Sequence, residues 1–233
     1  QFHRDDWFAA LPRLLKHFPD YTHLHRVAAV REKAAVLPVG CDLRRLDRVP
    51  AERGRLPLVL WNQRWEYDKA PEVFFRALDV LAAEGLPFEV AVAGRNYRQS
   101  APEFDAARER LGERVVHFGY ADEARYAALL RRADVVVSTA IHEFFGVAVV
   151  EAIYGGCFPV LPARLVYPAL LPPEYHARCL YTDFAGLVEH LRWALSNREM
   201  ARAVGAALRR EMERFDWTVV APEYDAALAD VVR

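Results

Sequence analysis

The sequence is short of lysine. Only Lys16, Lys33 and Lys69 stand beside 28 arginines, so arginine is the ordinary cation here and a lysine marks a position of interest. Cysteine is scarce too. Cys41, Cys157 and Cys179 form no C-x-x-C pair and are too few for a disulfide framework, which fits a reducing, cytoplasmic setting. No apolar run approaches the roughly 20 residues that span a bilayer, so no membrane partner is expected. Charge of one sign is lacking as well: 31 basic and 32 acidic residues cancel, and no global field recruits nucleic acid or anionic lipid. No G-x-G-x-x-G follows the first apolar run, which removes the dinucleotide-binding dehydrogenases.

What is present is alternation. The chain has 233 residues, 53% of them apolar, enough for a substantial core. From residue 56 onward, short apolar runs alternate with helical patterns: LPLVLW (56–61), FEVAVAG (88–94), RVVHF (114–118), DVVVS (134–138) and FPVL (158–161). Continuous β-branched runs separated by helices predict a parallel sheet covered on both faces. The expected fold is α/β, a Rossmann-like doubly wound parallel sheet whose ligands lie beyond the carboxyl ends of the strands. Residues 183–232 read as three helices, with Pro222 near the start of the last. Residues 56–214 therefore form the expected ligand-binding domain and 215–233 a separate C-terminal helix. The first 43 residues hold one helix near 2–20 and a short strand ending at Pro38–Gly40, too little for a core. They are expected to be the remnant of a preceding N-terminal domain. Residues 44–55, RRLDRVPAERGR, read as a polar linker, its arginines solvated or touching phosphates.

The loops after the strands carry the chemistry. Asn62 opens the loop NQRWEYDKAP, which sets Arg64 and Lys69 five apart ahead of Pro71 at a helix start. Two cations beside free helix amides make an anion site; the plainer reading is a solvated loop. Gly94 ends the second strand at the same edge. In HEFFGVAVVEA (142–152), Gly146 allows a tight turn into a helix that exposes the amides of Val147 and Ala148. Glu143 precedes that helix and Glu151 lies two turns inside it. Eight residues of helix span roughly 12 Å, the reach from sugar to ribose in a sugar nucleotide. The plainer readings are a cap charge for Glu143, an arginine salt bridge for Glu151 and a packed loop histidine for His142. Together the charged residues at one sheet edge favour a nucleotide-sugar partner.

R-x4-K followed by E-x7-E inside HEFFGVAVVEA resembles the C-terminal nucleotide-sugar domain of GT-B glycosyltransferases of family 4. LPVGCD resembles that family's interdomain segment, and FDWTVVAPEYDAAL (215–228) its helix crossing back to the N-terminal domain. WNQRWEYDKAPEVFF, ADVVVSTAIHEFFGVAVVEAIYGGCFPV and LVYPALLP are similar to the family's queuosine-tRNA mannosyltransferase branch. Gln63 stands where the common pattern has glycine, and Gly156-Cys157-Phe158-Pro159 carries one extra residue. Both departures match that branch. The resemblance implies retaining transfer of mannose from GDP-mannose to queuosine in tRNA(Asp), the acceptor held by the full-length protein. It gives Arg64 and Lys69 to the diphosphate, Glu143 to the sugar, Glu151 to the ribose, and the Gly146 and Val147 amides to the phosphates. Asn62, Gly94 and His142 join the donor site, and His3, Arg4 and Asp5 line the cleft by analogy. No cofactor or metal is implied, and no D-x-D motif occurs. The alternatives are a family 4 transferase for a lipid or polysaccharide acceptor and a non-catalytic nucleotide-sugar-binding module.

Overall fold

The computed structural model describes residues 1–95 and 102–232. The five apolar runs form strands β1 (Leu58–Trp61), β2 (Glu89–Ala93), β3 (Val115–Gly119), β4 (Val135–Val137) and β5 (Phe158–Pro162). A two-residue strand, β6 (Leu180–Tyr181), completes the sheet; it is too short to show a pattern in sequence. All pairings are parallel, in the order β3-β2-β1-β4-β5-β6. The order reverses between β1 and β4, and a cleft opens there beyond the carboxyl ends.

The helices are α1 (Phe2–Leu15), α2 (Val27–Lys33), α3 (Pro71–Ala83), α4 (Pro102–Leu111), α5 (Glu123–Arg132), α6 (Val147–Tyr154), α7 (Tyr167–Leu170), α8 (His176–Cys179), α9 (Phe184–Ser196), α10 (Arg198–Met212) and α11 (Trp217–Val232). Local chemistry sets their starts. Pro71 opens α3, while the side chains of Asp122 and Asp183 cap α5 and α9 by accepting from the amides of Arg125 and Gly186, each at 2.8 Å. Helix α3 buries Phe74, Phe75, Leu78 and Leu81 against the sheet. Trp61 is fully buried on Phe74 and Phe104, and Trp65 stacks on Phe104 at 4.2 Å, so both tryptophans are core. Cys157 is buried as a small hydrophobe, and burial pushes its thiol up to about 12.

The first 55 residues differ from expectation. No strand forms over 33–43, and α2 takes its place a few residues earlier. Cys41 instead makes a single parallel bridge to Asp216: its amide donates to Phe215 O at 2.8 Å, and Trp217 N donates back to Cys41 O at 3.0 Å. Asp216 then accepts from the amides of Leu43, Arg44 and Thr218. A Cβ on Gly40 would lie 2.4 Å from the Trp217 ring, so only glycine lets the two segments meet. The linker is not a solvated hinge. Arg44 pairs with Asp216, Arg45 with Glu151, and Arg53 reaches the carbonyls of Arg132 and Ala133. Arg131 and Arg198 clamp its backbone through Val49, Gly54, Arg55 and Leu56 carbonyls.

At the base of the sheet Asp134 is 1% exposed. It accepts from Arg198 at 2.9 Å, from Arg202 at 2.8 Å and from the Leu58 amide at 2.9 Å. Burial pushes its carboxyl up, but these donors outweigh burial and hold it below its ordinary value. Asp134→Asn should cost about 3 kcal/mol in urea unfolding at pH 7. That is the low end for a broken buried pair, since the side chains of Arg198 and Arg202 are 20% and 25% exposed. Because the folded carboxyl is the more acidic, its contribution is complete above the unfolded range near pH ~4 and lost as pH falls towards the folded value. The stability gap between parent and variant should therefore narrow on acidification; a gap independent of pH would refute the assignment.

Candidate active site

The loop after β1 turns through a single 3-10 turn, Tyr67–Lys69, and then Ala70 adopts a left-handed conformation (φ 44°) to launch α3. This geometry folds Lys69 inward, to 6% exposure. The Thr139 hydroxyl, at the end of β4, donates to the Lys69 carbonyl at 2.6 Å and fixes the turn. The Lys69 ammonium has three donors and meets three acceptors: His142 O at 2.6 Å, a Glu143 oxygen at 3.3 Å and an Asp68 oxygen at 3.3 Å. An arriving anion must exchange with one of these.

Glu143 has two tasks in the structure. Oε2 faces Lys69, while Oε1 accepts from the amides of Phe144 (3.0 Å) and Gly146 (3.2 Å). The carboxylate thus shapes the turn in which Gly146, at φ 86°, starts α6. The Gly146 amide is therefore engaged, and it is the amides of Val147 and Ala148 that have no hydrogen-bond partner among the described residues. The positive end of α6 faces the same space. The His142 side chain is exposed, and its carbonyl rather than its ring touches Lys69. Below, the Tyr167 hydroxyl meets Ser138 Oγ at 2.6 Å, and burial together with nearby Glu143 pushes its phenol well up, so it stays neutral.

Arg64, Asn62 and Gly94 line a neighbouring cleft of about 230 Å³ together with Gln63, Tyr120 and Tyr126. The Arg64 side chain is 59% exposed and meets Glu66 at 3.2 Å, a surface pair worth little, so it can turn to an anion. Asn62 bridges the cleft to α6: Nδ2 donates to Ala148 O at 2.7 Å and to the Tyr126 hydroxyl at 3.1 Å. Glu151 lies behind Tyr126, and both its oxygens are engaged, by Arg45 and by the Tyr126 hydroxyl. Of the cleft residues expected from the N-terminal segment, His3 touches the site. Its Nε2 lies 3.0 Å from Glu143 O, and its ring stacks on Phe144 at 4.5 Å. Arg4 turns away to the carbonyls of Ala34 and Arg31, and Asp5 holds Gln1. Asp68 and Tyr126 carry no sequence signal of their own, and Arg45, expected with the other linker arginines to be solvated or to touch phosphates, instead pairs with Glu151. Asp68 adjoins Lys69 and was within reach of inspection; Tyr126 and Arg45 come from distant segments that carry no motif.

Residues 44–211 match the family model described as Glycosyl transferases group 1. Over 116 residues, half of this chain, the sequence is 40% identical to tRNA-queuosine alpha-mannosyltransferase of Drosophila melanogaster, and the match covers 31% of that protein. The chain thus spans about a third of the length of that curated relative. Among solved structures, Anabaena HepE in complex with UDP is similar with a TM-score of 0.72 at 17% identity, over 89% of this chain and 60% of that one. Sucrose-phosphate synthase from Thermosynechococcus elongatus is similar with a TM-score of 0.71 at 21% identity, over 89% of this chain and 56% of that one. These likenesses show a shared fold, that of GT-B glycosyltransferases.

Gly94 offers a test of the cleft's architecture. A Cβ there would lie 2.1 Å from the Gln63 carbonyl oxygen and 3.0 Å from the Trp65 ring. Gly94→Ala should cost roughly 2–3 kcal/mol by overpacking, read as a lower denaturant midpoint. An unchanged midpoint would mean that the loop at 62–65 yields freely.

Proposed function

For this chain, which belongs to the Glycosyl transferases group 1 family, we propose a place in an enzyme that transfers mannose from GDP-mannose to queuosine in tRNA(Asp), with retention and without a metal. The observation that carries donor and acceptor is the 40% identity to the Drosophila tRNA-queuosine alpha-mannosyltransferase. The transfer chemistry is supported by the geometry: a buried lysine, an exposed arginine and helix amides without a partner among the described residues lie at one sheet edge. Arg64 and Lys69 hold the diphosphate, Glu143 the sugar, Glu151 the ribose, and Val147 lends its amide to a phosphate. No helix among the described residues is long and apolar enough to cross a membrane, and a cytoplasmic setting belongs to the same reading.

In the transfer, an acceptor hydroxyl forms a bond to the anomeric carbon as the bond from that carbon to the phosphate oxygen breaks. The electron pair leaves with GDP, and the hydroxyl proton must leave with it or pass to solvent. The growing negative charge is met by Arg64, Lys69 and the positive end of α6. The backbone that carries them is already shaped, so the step asks only that Lys69 exchange one acceptor and Arg64 leave Glu66. Lys69 exchanges an internal acceptor for the phosphate. Asp68 and Glu143, left behind, hold its position.

The full-length protein, given GDP-mannose and queuosine-containing tRNA(Asp), should release mannosylated tRNA detectable by mass spectrometry. Transfer only to a lipid or glycan acceptor would overturn the acceptor; release from a UDP-sugar alone would overturn the donor. Arg64→Ala and Lys69→Ala should each slow turnover about 10²–10³-fold, the scale of removing one preorganised donor, with a smaller loss in GDP affinity. Unchanged turnover in both would remove them from the reaction. Activity should also survive EDTA, because cations of the chain supply what a metal would; loss on chelation with recovery in Mg²⁺ would refute that.

A further inference from the structure

Glu151 is half-buried and fully directed. Its Oε1 accepts from Arg45 at 2.6 Å and its Oε2 from the Tyr126 hydroxyl at 2.9 Å. The direction of the second bond is forced. Ala148 O can only accept, so the Asn62 amide must present Nδ2 to it, at 2.7 Å. The same Nδ2 lies 3.1 Å from the Tyr126 oxygen and donates to it. Tyr126 has one proton, which therefore goes to Glu151. Arg45 is held in turn, because its Nε donates to Asp42 O at 3.0 Å and its guanidinium lies over the Tyr126 ring at 5.9 Å. Two fixed donors thus hold one carboxylate in one rotamer.

A carboxylate has about four acceptor sites. Two are taken, one on each oxygen, and two are left on a carboxylate that lies behind Tyr126, which itself lines the cleft. We propose that Tyr126 and Arg45 are positioning residues for Glu151, holding its remaining lone pairs for the two ribose hydroxyls of a nucleoside diphosphate. The inference rests on the donor chemistry proposed above and extends it to two residues without a motif. Arg45 belongs to the segment fastened to Asp216, so the ribose contact is built partly from the linker.

The test is the preference for ribose. GDP and 2′,3′-dideoxy-GDP are titrated calorimetrically into the chain and its variants, each first checked for folding by circular dichroism. The parent should bind GDP about tenfold or more tightly than the dideoxy nucleotide, the scale of one hydrogen bond to a charged group. Tyr126→Phe and Arg45→Ala should bring that ratio close to one, as Glu151→Gln does, and Arg45→Lys should restore part of it. A merely structural role would weaken both nucleotides equally and preserve the ratio, which would overturn the inference. A ratio lost in Glu151→Gln but kept in Tyr126→Phe and Arg45→Ala would also overturn it, while leaving the ribose role of Glu151 intact. A parent without any preference, or without GDP binding, would overturn both. Should Arg45→Ala not fold, Tyr126→Phe, which removes a single oxygen, carries the test.

Discussion

The carboxylate of Asp134 lies under the sheet and holds together segments that are far apart in sequence. Arg198 reaches it from α10 while also clamping the linker carbonyls, and Leu58 reaches it from the first residue of β1. The Asp134 backbone repeats the connection: its amide donates to Leu58 O, and its carbonyl accepts from Phe158 of β5. Three central strands are thereby brought into register at their amino ends. Strands of this length leave no freedom at the other end. Where β1 and β4 stop, the loops at 62–70 and 138–146 must face one another. A buried ion cluster is weak evidence of net stability. Its service here is register, and the site at the opposite edge inherits it.

At that edge the cations are partly neutralised before any ligand arrives. Lys69 sits among Asp68, Glu143 and a carbonyl, and Arg64 leans on Glu66. The arrangement resolves a physical problem. A buried ammonium without acceptors would lose its charge or its place, whereas one fully satisfied can still exchange an acceptor at small cost. The two cations differ accordingly. Lys69 is fixed by its surroundings and suited to a charge that develops at one point. Arg64 is exposed and bidentate, suited to capture.

Much of the fold was legible because a parallel sheet buries both faces of its strands, which then read as unbroken apolar runs. The failures have the same physical root. β6 has two residues and no run to read. The strand expected at 33–43 is one bridge, Cys41 to Asp216, between residues that only tertiary structure brings together. At the candidate site, the placement of Lys69, Glu143 and Gly146 on facing loops was legible because turn chemistry and helix starts are local. The Glu151 salt bridge was foreseen as the plainer reading of that residue, but Arg45 as its partner was not, since nothing local links a linker arginine to a helix more than a hundred residues away. Nor does spacing show that Glu143 would spend one oxygen on the Gly146 amide.

The linker is where the two levels meet. Read as polar sequence, residues 44–55 suggest a hinge, because charges and proline promote neither core nor ladder. The structure gives four of those charges partners within the domain. Arg44 is drawn to Asp216, Arg45 to Glu151, Arg53 to the end of α5, and Asp47 to Arg209 and the Tyr154 hydroxyl. A segment held at four points over so short a length cannot swing independently of the sheet. On the Gly40 side the chain is held as well, where it crosses the Trp217 ring with no room for a Cβ. Cys41 and Asp216 are bridged next to it, and Asp42 and Arg45 carry the connection on to Glu151. The carboxylate that Tyr126 holds behind the cleft is thus joined, through Arg45, to the segment fastened to Asp216.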